Sequence, residues 1–113
     1  LVEKQLFESN LDVATEQQRF KLDLIWIEIL QIQQNYSKSK LILNNYLDLD
    51  NFTEVDDFAE LLYLKSKQAY FEKKYQLASE NVELAFENLN ENDNKLNRLL
   101  IKLSSKIYLE TNK

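Results

Sequence analysis

Glu80, Glu83, Glu87 and Glu91 are followed, fifteen residues on, by Lys95, Arg98, Lys102 and Lys106 at the same spacing. On helices, intervals of three and four residues set each quartet on one face. Two charged faces of opposite sign can pair with each other or recognise a charged partner. If the two helices are antiparallel, positions mirrored about the turn would match Glu91 with Lys95, Glu87 with Arg98, Glu83 with Lys102 and Glu80 with Lys106. At about 100° per residue, however, the acidic face lies opposite the Tyr75, Ala78, Val82 and Ala85 side of its own helix. It is therefore expected to point to solvent, where ion pairs contribute little. The basic face flanks the Leu96, Leu100, Leu103 and Ile107 side and is the one able to line a groove.

Catalytic chemistry finds no support in the residue inventory. The chain has no His and no Cys, so the commonest acid–base group and the commonest nucleophile–base pairs are missing. No enzymatic activity is expected. Asp48-x-Asp50 begins like a calcium loop, but Phe52 sits where an oxygen ligand belongs, Thr53 where glycine belongs and Ala59 where the closing Glu belongs. Neither a metal nor a cofactor is expected. Asn35-Tyr36-Ser37 and Asn51-Phe52-Thr53 are glycosylation sequons, read here as chance matches in an Asn-rich chain.

Charge narrows the partners. A net charge of −5 argues against nucleic acid and against anionic membrane surfaces, which need a basic face. The longest uninterrupted apolar run, Leu24 to Ile27, falls far short of a membrane span. No signal peptide is visible, and a cytoplasmic location is expected. The helical pattern is already running at Leu1, so a longer parent chain is expected.

The elements that must position these residues are helices. Among 113 residues there is no Gly and no Pro, so the usual punctuation of strands and tight turns is absent. Thr15-Glu16-Gln17-Gln18 has the form of a capping box, and Thr53 offers a second N-cap. A third polar break runs from Asn90 to Asn94. These signals predict helices near 2–12, 16–34, 37–47, 54–72, 75–89 and 94–112. Phe20 to Ile32 alternates and is rich in Ile, as a strand would be. Its length and the lack of a matching hairpin partner predict a helix instead.

Tyr36-x2-Ser39-x3-Leu43-x2-Tyr46 returns 39 residues later as Tyr75-x2-Ala78-x3-Val82-x2-Ala85. At an offset of 38, Leu62, Ser66, Ala69 and Tyr70 match Leu100, Ser104, Ile107 and Tyr108. A helical hairpin repeated at fixed spacing points to an α-solenoid, an all-α stack of antiparallel helical hairpins. With Ala69-Tyr70 before the turn and Ala78-x3-Val82 after it, the chain resembles the tetratricopeptide repeat family most closely over residues 62–89. It departs from that family in lacking its glycine and its terminal proline, and in a spacing longer than the family's ~34 residues. The resemblance implies one domain over residues 1–113, with units near 16–47 and 54–89 and a half unit at 94–113. It also implies a concave groove, lined by the first helix of each unit, that holds a protein or an extended peptide. Lys65, Gln68 and Glu72 would lie there beside Lys102, Lys106 and Glu110, with Trp26 and Gln33 on the preceding helix, where Trp26 suits plain core equally well. The expected function is a non-catalytic protein or peptide interaction module. The alternative is the sensing domain of a larger signalling protein or transcription regulator, closing on a small peptide or ligand.

The last helix carries two apolar sets. Leu96, Leu100, Leu103 and Ile107 share one side, while Ile101, Tyr108 and Leu109 lie elsewhere around it. The second set is expected to be exposed, or covered by self-association through this C-terminal helix.

Overall fold

The computed structural model describes residues 16–47 and 58–112, and within them every regular element is a helix. In chain order these are α1 (Glu16–Ile32), α2 (Tyr36–Leu47), α3 (Phe58–Phe71), α4 (Tyr75–Glu87) and α5 (Asn94–Thr111). The expected helix near 2–12, the Thr53 cap and most of the rejected calcium loop lie outside the described residues. α1, α3 and α4 end one or two residues before their expected limits.

The alternating segment Phe20 to Ile32 is helical, and its burial pattern shows why. Phe20, Leu24, Ile27, Leu30 and Gln31 are buried, whereas Ile25 and Ile32 stand exposed. Those buried positions recur at helical spacing, so one stripe is satisfied by packing even though apolar residues surround the whole helix. The β-branched side chains that mimic a strand are partly the ones left outside.

Two turns close the hairpins α1–α2 and α3–α4, and they are copies of each other. In the first, the Gln34 amide donates to Gln31 O at 3.0 Å and the Asn35 amide to Leu30 O at 2.8 Å. In the second, the Lys73 amide donates to Tyr70 O at 3.0 Å and the Lys74 amide to Ala69 O at 2.8 Å. Each is a Schellman end, closed by a left-handed residue: Gln34 at φ 62° and Lys73 at φ 64°. The 39-residue offset seen in the tyrosines is therefore also the offset of the backbone. α5 starts differently, with the Asp93 carboxylate accepting from the Leu96 amide at 3.0 Å, a side-chain N-cap.

α3 is the centre of the molecule and touches the other four helices. α1 and α5 lie on either side of it. α2 packs on α1 and α3, and α4 packs on α3 and α5. Ser66 Oγ donates to Ala78 O at 2.7 Å, and Tyr70 meets Tyr75 with ring centroids 5.8 Å apart. Those contacts mirror about the turn, as an antiparallel pair requires. The fully buried Ala78 and Ala85 let α4 lie close against α3. Leu30, Leu61, Leu64 and Leu100 are also fully buried, each worth about 1.5–3 kcal/mol of transfer free energy.

Candidate functional site

With α4 bonded to Ser66 and α1 to Leu64 and Gln68, α3 has a further flank toward α5. That flank carries Tyr63, Lys67, Tyr70 and Phe71, and it faces Leu99, Lys102, Leu103 and Lys106 of α5 across a cleft of about 110 Å³. Aromatic and aliphatic groups line it together with three lysines. Lys67 Nζ sits 5.5 Å from the centre of the Tyr63 ring, within range of a cation–π attraction. Burial pushes the Lys67 ammonium below its ordinary value; the Glu28 carboxylate opposes that shift and Lys106 adds to it. Burial likewise raises the Tyr63 phenol, helped by Glu28 and Glu60. Among the described residues, Lys67, Lys102 and Lys106 form no ion pair. The cleft thus offers cationic donors beside apolar groups, an arrangement suited to a carboxylate-bearing segment with some apolar surface.

The neighbouring seam, between α1 and α3, is closed by a buried polar network. Gln31 Nε2 donates to Leu64 O at 3.0 Å and reaches Gln68 Oε1 at 3.4 Å. Ser39 Oγ donates to the same Gln68 oxygen. Gln68 Nε2 in turn donates to Tyr36 O at 3.1 Å and to Glu72 Oε1 at 2.7 Å. At the 38-residue offset, Leu64 and Gln68 of the closed seam become Lys102 and Lys106 of the open one. Apolar and amide groups seal the first interface, and cations that must stay hydrated at their tips hold the second apart.

The residues expected to line a groove therefore separate. Lys102 and Lys106 do lie together on the cleft. Gln68 does not offer itself to a ligand: it is 4% exposed, and both ends of its amide are engaged inside the protein. Glu72 is held by Gln68, with Lys74 Nζ at 3.1 Å and Lys40 Nζ at 3.6 Å. Its carboxyl lies below the ordinary range, chiefly because of the Gln68 hydrogen bond. Trp26 packs against the core with its indole Nε1 buried and unbonded. Gln33 is exposed in the first turn. Lys65 is half-buried and lies outside the cleft lining. Glu110 meets Tyr75 Oη at 3.5 Å.

Sequence reasoning missed Lys67, Tyr63, Tyr70 and Phe71. A signal existed: the 39-residue offset places Lys67 at the position of Glu28, a charged, half-buried residue of α1. The acidic face behaves as expected, since Glu80, Glu83, Glu87 and Glu91 are exposed and none pairs with the basic face among the described residues. No cluster of metal-ligating side chains occurs among the described residues, and none of their helices is long and apolar enough to cross a membrane.

What the fold defines is an all-α domain of packed antiparallel helices. No family of known proteins, no curated protein and no solved structure matches the chain.

Proposed function

We propose that this protein is a non-catalytic interaction module, built as a tetratricopeptide-like helical stack, that holds a segment of another polypeptide along the face shared by α1, α3 and α5. The cleft between α3 and α5 carries the reading, with Lys67, Lys102 and Lys106 beside Tyr63, Tyr70 and Leu99. The repeated turns support the stack, because identical backbone ends at a fixed offset are what serial hairpins require. Binding energy would come from a few anchors: an apolar side chain on the aromatic groups and carboxylates on the lysines. The chain-wide charge of −5 makes a locally basic cleft selective for acidic segments over other surfaces of the same molecule.

The test is a titration of labelled acidic peptides carrying one aromatic or aliphatic residue, beside basic peptides of the same length. Saturable binding of the acidic set, weakened by salt and lost in Lys102→Glu/Lys106→Glu with helicity intact, is the expected result. Equal binding to that variant, or no acidic peptide bound at all, overturns the reading.

A further inference from the structure

We propose that the partner of this cleft is a second copy of the chain, which presents the outer face of its α4 to the basic face of α5. The inference rests on the cleft being an interaction site and goes further by naming its occupant. Four observations lead to it.

The first is complementarity. The exposed acidic row of α4 and the basic row of α5 share one spacing, and neither row is paired with the other within the described residues. At a rise of 1.5 Å per residue, Glu80, Glu83 and Glu87 stay in step with the basic row to within about 1.5 Å, whichever way the helices run. The second is placement. The acidic row points away from the Ala78, Val82 and Ala85 side that meets α3, while Lys102 and Lys106 open onto the α3–α5 cleft. On α3 itself, Lys67 lies away from the Leu62, Ser66 and Ala69 side that receives α4. The rows thus occupy different sides of one molecule. They do not pair within the chain among the described residues, and they can meet between chains.

The third observation is apolar. Leu77 and Leu84, 40% and 44% exposed, border the acidic row, while Leu109, 65% exposed, stands within the basic one. Charges alone at an exposed surface bring little affinity; leucines on both faces supply area to bury. The fourth is the net charge of −5, which repels copies in any other orientation and leaves these two faces as the attractive pair. Because the faces differ, the contact is heterologous, and copies add head to tail.

Sedimentation velocity across a concentration range, at low and high salt, tests the proposal with charge-reversed variants. Wild type should associate with rising concentration, at least about tenfold more weakly at high salt. Glu80→Lys/Glu83→Lys/Glu87→Lys and Arg98→Glu/Lys102→Glu/Lys106→Glu should each be monomeric alone, and their equimolar mixture should associate again. The milder Glu80→Gln/Glu83→Gln/Glu87→Gln should also be monomeric, with helicity measured for every variant. Wild type monomeric at all concentrations in low salt, or a mixture no more associated than its components, overturns the proposal. If acidic peptides still bind the cleft in that case, only the occupant is wrong; if they do not, the interaction reading falls with it.

Discussion

Gln34 and Lys73 hold backbone angles that glycine reaches without a steric penalty and other residues reach at about 1–2 kcal/mol. Replacing either by Gly removes that cost, and the greater freedom of the unfolded glycine returns part of it. Each of Gln34→Gly and Lys73→Gly is therefore expected to stabilise the protein by about 0.5–1 kcal/mol, a rise of a few degrees in Tm by calorimetry. An unchanged or lower Tm in both would show that these side chains hold the turns by contacts that glycine cannot replace. This is the scale at which the sequence was hardest to read. The absence of Gly removes the usual marker of a Schellman end, so the turns could be placed only by the polar residues around them. Gln68 misleads in the same way: a polar residue next to Lys67 reads as surface, and only its partners Gln31 and Ser39 make it interior. Lys67 gave no sign in the hydrophobic period, because α3 is buried on nearly every side and has no single outer face to report; only the repeat offset points to it.

At the scale of elements the sequence was more generous. Five helices were legible from caps, from breaks and from the 39-residue repeat, including α1 with its strand-like alternation. The close approach of α3 and α4 was legible too, from small residues at 78 and 85. Ala78 has no exposed surface, and its carbonyl accepts the Ser66 hydroxyl at 2.7 Å. Ala78→Leu would push α4 away from α3 and strain that bond, at a cost of about 1–3 kcal/mol. Chemical denaturation reads the loss as a lower midpoint with an unchanged slope. A midpoint equal to wild type would mean that the two helices have room to spare, which the burial of Ala78 and Ala85 argues against. What the element scale could not supply is which seam closes and which stays open. That depends on Leu64 and Gln68 against Lys102 and Lys106, four side chains whose difference emerges only when α1, α3 and α5 are set side by side.

For the whole molecule, the consequence of the buried amide network lies in how the chain comes apart. Most contacts are between helices that are neighbours in the chain, so each hairpin could in principle open alone. Gln68 works against that. Its bonds to Gln31, Tyr36 and Ser39 span 37, 32 and 29 residues and tie α1 and α2 to the hairpin of α3 and α4. Opening the first hairpin would break those bonds together and bare the apolar surface around them to water, so the two hairpins share one free-energy cost. The Tyr36–Phe71 ring stack, 5.4 Å between centroids, adds a second, weaker tie. Gln68→Leu cuts the polar tie while keeping a side chain of similar length. Beyond an expected loss of about 1–3 kcal/mol, it should change the order of events. Amides of α1 and α2 are then expected to exchange with solvent through a partial opening that leaves α3 to α5 protected. In wild type all five helices should exchange together in their slowest phase. Joint exchange in the variant would show that apolar packing alone carries the coupling. If the partial opening appears instead, one glutamine amide decides whether the chain unfolds as a unit or in separable pieces.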